Sequence, residues 1–231
     1  MRTITVHKIP VEVEWKKIKN IHLTIYPPDA RVHVSAPKQM TEDAVRLYII
    51  SKLAWISKRI EAIQNHSRQT PREYVSGENH YFKGVRYRLN IIEHDAPPKV
   101  KLKENQYINL HIRPETTLDK KAEILREWYR EELKLTLEPM VSNWEEILEV
   151  KTSHWEVKQM KTLWGSCNTR TKRLIFNLEL AKKPLHCIEY IVAHELIHLI
   201  ERLHTNRFTA LLDMHLPAWR QIKDELNEFV V

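Results

Sequence analysis

Within His194–His204, which reads HELIHLIERLH, three imidazoles and one carboxylate are spaced so that a single divalent metal could gather them. His194 and His198 are four residues apart, which on a helix places them on one face. Glu195 is rotated from that face by about one residue, so it can reach a water held by the metal without being a ligand. A continuous helix would carry His204 about 15 Å past His194, at roughly 1.5 Å per residue. Zinc–nitrogen bonds are only about 2.0–2.1 Å long. His204 can therefore join only if the helix stops and the chain turns back before it. Glu201, three residues after His198, could orient an imidazole through the ring nitrogen that is not on the metal.

Three neutral imidazoles leave a zinc ion its full charge and one position open for water. Such a site brings the pKa of its water toward about 7, and Glu195 would accept the proton and pass it to the leaving group. This is metal-assisted hydrolysis of a carbonyl or phosphoryl bond. One zinc per chain is expected, although nickel, cobalt and manganese suit the same donors. HExxH alone is weak in a chain with 13 histidines. Shuffling this composition yields the motif in about one sequence in fifteen, and adding the histidine six places on lowers that to about one in 250. Glu225 is the alternative third ligand if His204 stands idle.

Other residues have a bland reading beside a chemical one. Trp164 and Gly165 are expected to set a packed turn. Cys167 could approach the metal as an inhibitory or redox-sensitive thiol, but reads better as a small buried hydrophobe. Tyr190, one turn before His194, could help hold a transition state, though packing is the simpler role. His215 could stabilise developing negative charge, and Met214 reads as core.

The elements that must position these groups follow from periodicity. Residues 2–35 alternate as strands, ITVHKIPVEVEW, IHLTIYP and ARVHVSAP, with a turn at Pro27-Pro28-Asp29. Thr41 can cap one helix over 42–66, with Ala44, Leu47, Leu53, Ile60 and Ile63 on its apolar stripe. A loop over 67–76 precedes a hairpin turned at Lys83-Gly84, and strands near 99–103 and 106–113 follow. A long helix over 119–149 contains Pro139, which should kink or divide it. Strands near 155–160 and 173–180 lead to the helix bearing His194. Thr205 caps a further helix, 206–213, and a last one spans 217–229. No internal repeat is visible. The spacing predicts an α+β chain, with a strand-rich subdomain over 1–117 and a second domain over 118–231. If RLIFNLEL is a sheet edge above the site, an extended peptide could add to it.

The net charge of +7 is uneven: residues 1–118 hold 20 Lys+Arg against 12 Asp+Glu, and residues 119–231 hold 17 against 18. The basic half suggests nucleic acid or nucleotide as a partner, although dispersed charge of this kind also serves simply to solvate a surface. Two cysteines, no signal-peptide core and no apolar run near the roughly 20 residues of a membrane span point to a cytoplasmic chain without a membrane partner.

The chain resembles the YgjP-like metallopeptidases, relatives of the SprT and WLM zinc peptidases. The resemblance rests on Met160-Lys161-Thr162-Leu163-Trp164-Gly165-Ser166-Cys167, Asn177-Leu178-Glu179-Leu180-Ala181, Tyr190 with the HELIH run, and His204 followed by Phe208. It implies a zincin-like catalytic domain, with His194, His198 and His204 as metal ligands and Glu195 as catalytic base. It also implies a polypeptide substrate. Two further readings stand beside it: a metal-dependent nucleoside triphosphate pyrophosphatase, and a nucleic-acid-associated protein with a structural metal. His194, His198 and His204 match the metzincin spacing, but Glu201 occupies the position of its glycine, so the turn around Glu201–Leu203 must be made another way.

Overall fold

The computed structural model describes residues 2–26, 29–65, 72–104 and 106–228. In it the first alternating run folds back on itself. β1 (Arg2–Val6) and β2 (Ile9–Lys16) form an antiparallel hairpin whose turn residues, His7 and Lys8, have φ of 46° and 69°. Both central residues of such a turn need positive φ. No Gly, Asn or Asp announces it, and the sequence reads as one strand. β3 (His22–Tyr26) and β4 (Arg31–Pro37) complete a sheet ordered β1-β2-β4-β3, with β2 and β4 parallel.

Thr41 caps α1 (Glu42–Ser51) as expected, accepting from the Ala44 amide at 3.3 Å. The single expected helix breaks at Lys52, and α2 (Leu53–Asn65) follows. The Ser51 hydroxyl donates to the Tyr48 carbonyl at 2.7 Å, a local bond that competes with helical pairing. The buried stripe is Val45, Ile49 and Ile56; Leu47, expected on it, is exposed. Pro27, Pro28, His66 and the loop residues up to Pro71 lie outside the described residues.

The chain divides into Met1–Thr70 and Pro71–Val231, not at the expected 117/118. In the second unit β5 (Asn79–Phe82), β6 (Val85–Glu93), β7 (Lys99–Lys103) and β8 (Tyr107–Ile112) form a sheet ordered β5-β6-β8-β7. Leu89, Ile108 and Leu110 of this sheet share one core with Leu133 of α3 (Leu118–Ile147) and Val192 of α4 (Leu185–Ile197). The β5–β6 hairpin turns at Lys83 and Gly84, as expected. Its tip donates to Ala181 and Lys182 carbonyls at 2.9 and 3.1 Å, which joins this sheet to the segment before α4. That shared burial is why no boundary falls at 117.

α3 runs unbroken through Pro139 for 30 residues. The carbonyl that Pro139 cannot bond belongs to Leu135, an exposed residue where water can serve. No helix among the described residues is long and apolar enough to cross a membrane. Beyond α3, β9 (His154–Lys158), β10 (Gly165–Asn168) and β11 (Arg173–Asn177) form a sheet ordered β10-β11-β9. Gly165 begins a strand instead of setting the expected turn, and β11 is the central strand, so the condition that it be a sheet edge is not met. The chain leaves β11 at Leu178 in a 3-10 turn to Lys182, so the expected strand to 180 ends three residues early. α5 (Asn206–His215) and α6 (Trp219–Glu228) close the unit.

Glu145, buried near the end of α3, accepts from the Thr152 amide at 2.7 Å, from the Thr152 hydroxyl at 2.6 Å and from Lys151. Burial raises its pKa, but the hydrogen bonds from Lys151 and Thr152 outweigh that and hold it below the ordinary carboxylate value. A depressed folded-state pKa stabilises above the unfolded value and is lost as pH falls through the folded one. Glu145→Ala is therefore expected to cost about 2 kcal/mol at pH 7, with the difference from wild type shrinking below about pH 4. Urea unfolding at both pH values measures this, and an unchanged difference would refute it.

Candidate metal centre

α4 ends at Ile197, one residue before His198. The Leu199 and Ile200 amides bond three residues back, to Leu196 and Ile197, at 3.0 and 2.9 Å. This tightened last turn stops the helix. Glu201 then acts twice. Its carbonyl accepts from His198 Nδ1 at 3.2 Å, and its carboxylate accepts from the Leu203 amide at 3.3 Å. Orientation of His198 by Glu201 was expected of the side chain; the backbone does it. No residue from His198 to Thr205 has positive φ, which explains how Glu201 can stand where a glycine was expected. Thr205 caps α5 by accepting from the Phe208 amide at 3.4 Å.

The reversal brings His204 to His194. Their Nε2 atoms are 3.0 Å apart, and one nitrogen from each of His194, His198 and His204 lies within 4.8 Å of the others. Two nitrogens on one tetrahedral zinc would stand about 3.3 Å apart, given bonds of about 2.0–2.1 Å. The donor set thus fits a zinc-like ion. The bond from His198 Nδ1 fixes that ring's tautomer and leaves Nε2 with its lone pair. Burial, and then the charges of His198 and His204, push the His194 pKa down to about 3, so this ring is neutral and ready to ligate at pH 7. Phe208 packs on all three rings, with centroid distances of 4.7–4.9 Å. Among the described residues no fourth His, Cys or carboxylate joins the group.

Glu195 is 5% exposed, and burial alone pushes its carboxyl up to about 8. It lies against the backbone of β10: a Cβ on Gly165 would sit 2.5 Å from Glu195 Oε1 and 2.7 Å from its Cγ. Glu195 and the three histidines line a cavity of about 810 Å³ together with Trp164, Cys167 and Tyr190. Tyr190 stacks on Trp219 at 6.3 Å and meets His194 edge-on at 5.8 Å, a packing role. Burial and the Glu195 charge raise the Cys167 thiol to about 11, and its sulfur is not grouped with the three ligand nitrogens. Three cations, Arg170, Arg202 and Lys223, also line the cavity, where Glu195 is the one carboxylate.

Three other candidates fall elsewhere. Glu225 pairs with His186 at 2.7 Å, His215 packs edge-on against Trp144, and Met214 is exposed instead of core. Two positioning roles escaped the sequence reading, that of Asn177, known there only from the resemblance, and that of Lys183. Asn177 donates to the Met160 and Leu163 carbonyls at 2.9 and 2.7 Å and receives the Met160 and Glu179 amides, which fixes the loop leading into Trp164. Lys183, buried, places its ammonium 4.8 Å from the Trp164 ring and donates to the Leu226 carbonyl of α6 at 3.3 Å. Lys183 has no local signal, and only the Glu179 bond of Asn177 is local; the bonds of Asn177 to Met160 and Leu163 span 17 and 14 residues.

The family model described as "YgjP-like, metallopeptidase domain" matches residues 19–229. No curated protein matches the chain. Among solved structures it is similar to the metallopeptidase zymogen of Pyrococcus abyssi abylysin, at 17% identity and a TM-score of 0.37, covering 38% of this chain and 90% of that one. With the family model spanning nearly all of its length, the chain belongs to the YgjP-like metallopeptidase family.

Proposed function

We propose that this protein is a zinc-dependent metallopeptidase with a zincin-like catalytic unit, in which His194, His198 and His204 hold the metal and Glu195 is the general base. The observation that carries the reading is the convergence of three imidazole nitrogens within 4.8 Å, beside a buried carboxylate that is not one of the group. A zinc ion held there would polarise the scissile carbonyl and lower the pKa of water at its open position. With the charge of a bound zinc offsetting the burial that raises its carboxyl, Glu195 would take the proton of the attacking water and deliver it to the leaving amide nitrogen. Gly165 keeps the carboxylate close to the β10 backbone, and α4 fixes its direction.

The strand available to a substrate is β10. It sits at the end of the order β10-β11-β9, and all its residues line the cavity, so a polypeptide could extend the sheet by main-chain hydrogen bonds. Arg170, Arg202 and Lys223 favour a second reading, nucleoside triphosphate hydrolysis, because unopposed cations suit a polyphosphate.

Glu195→Gln is expected to keep the metal and lose about 10²–10⁴-fold in the rate of cleaving an unstructured polypeptide. Elemental analysis with a cleavage assay measures both, and a wild-type rate in the variant would remove Glu195 from the chemistry. Gly165→Ala is expected to leave metal content unchanged and slow turnover by about 100-fold, the scale of a 1 Å misplacement. An unaffected Gly165→Ala enzyme would show that this contact does not position the base. Release of pyrophosphate from nucleoside triphosphates, with no polypeptide cut by metal-loaded protein, would replace the first reading by the second.

A further inference from the structure

The β5–β8 sheet buries one face against α3 and leaves the other outward. By strand alternation the outward positions include Arg86 and Arg88 on β6 and Lys99, Lys101 and Lys103 on β7, all exposed. Between these two rails runs β8, whose outward positions are Tyr107, Asn109 and His111. The register aligns Arg88, Tyr107 and Lys103 across the strands, and below them Asn90, Asn109 and Lys101. Strands are about 4.8 Å apart and same-face neighbours along a strand about 6.7 Å, so the rails lie about 10 Å from each other.

From this arrangement we propose that the outward face of the β5–β8 sheet binds single-stranded nucleic acid, with phosphates on the cation rails and bases against Tyr107 and the amides of Asn90 and Asn109. The proposal stands apart from the hydrolytic centre.

Four observations support it. No carboxylate occupies an outward position between Arg86 and Ile92 or on β7 and β8. Of the five cations, Lys103 alone is in an ion pair among the described residues, with exposed Glu104 at 3.9 Å. Elsewhere in the unit several exposed cations are matched locally, as in the pairs Lys120–Glu123 and Lys134–Glu131 at 2.8 Å. Lysines on the edge strand β7 could serve only to deter strand addition, but β6 is an interior strand, and its arginines have no such duty.

The first unit supplies an internal comparison. Its sheet has the same order of strands and the same parallel centre, and both hairpins turn over two residues. Counting from the hairpins, Glu12 of β2 stands at the place of Arg88 in β6. There the charges are balanced, with Glu12 to Arg31 at 3.3 Å and Glu14 to Lys16 at 2.8 Å. Only the second sheet is unipolar. His111 feels this: partial burial, then Lys99, His94 and Lys101, lower its pKa.

A polyanion-binding surface needs the cations alone; the aligned tyrosine and the Asn90–Asn109 pair, bonded at 3.0 Å, add what bases require. The test is fluorescence anisotropy of the full chain with a labelled oligo-dT of about 20 nucleotides. Log affinity should fall against log salt with a slope of about −3.5, at −0.7 per phosphate neutralised. R86Q/R88Q should weaken binding at low salt by tenfold or more and reduce the slope by about 1.4. Tyr107→Ala should weaken oligo-dT binding by about 5- to 100-fold with the slope unchanged, and leave the binding of heparin as it was. Thermal melting of each variant at the wild-type temperature excludes unfolding. No binding of oligo-dT at low salt, or wild-type affinity in R86Q/R88Q, overturns the proposal. So does a Tyr107→Ala chain that binds oligo-dT normally, or equal competition by heparin or anionic vesicles, since the face would then be a general polyanion surface.

Discussion

The whole centre depends on where α4 stops. Had the helix continued, His204 would lie about 15 Å beyond His194 and could share no ligand site with it. The chain instead ends the helix at Ile197, tightens once, and starts α5 at Asn206. Glu201 makes this reversal self-supporting, since one residue supplies an acceptor to His198 and another to Leu203. The same few bonds that end the helix therefore also set a tautomer. Phe208 fills the space under the three rings, so the reversal is packed as well as hydrogen-bonded.

Glycine shows how tightly the rest is built around this helix. The chain has only three glycines in 231 residues. Left-handed backbone is met mostly by other residues, nine of them among those described, although the conformation is costly without glycine. Two of the three glycines stand against α4 or its start. A Cβ on Gly84 would come within 2.8 Å of Pro184, and one on Gly165 within 2.5 Å of Glu195. One contact seats the β5–β6 hairpin on the helix entry, and the other seats the carboxylate on β10. Close approach accounts for glycine at Gly165, and at Gly84, where φ is 81°, it adds to what the turn requires.

What the sequence showed and hid divides along the same line. The histidine spacing, the caps Thr41 and Thr205, and the Lys83-Gly84 turn are local signals, and the structure carries each of them. Pairing is not local. Nothing in RLIFNLEL reveals that β9 and β10 will flank it, so β10, not β11, carries the free edge. The turn at His7-Lys8 lacks the residues that normally mark it. The division at Thr70 was hidden because β5–β8 are basic like the first unit but bury their inner face with α3. The roles of Asn177 and Lys183 were invisible for the same reason: apart from the Glu179 amide, their hydrogen-bond partners lie 14 to 43 residues away.

The two four-stranded sheets show how one topology can hold opposite surface chemistry. Order β1-β2-β4-β3 and order β5-β6-β8-β7 are the same arrangement, each followed by a helix that a threonine caps. The repeat is not visible in the sequence, because what it requires is only the alternation of buried positions. Val11 and Val13 in one sheet and Tyr87 and Leu89 in the other satisfy that requirement with different side chains. Outward positions carry no packing constraint and are free to differ, which is how Glu12 and Arg88 come to stand at matching places. Inner faces therefore record how such a sheet folds, whereas a charge difference on the outer face calls for a cause outside folding.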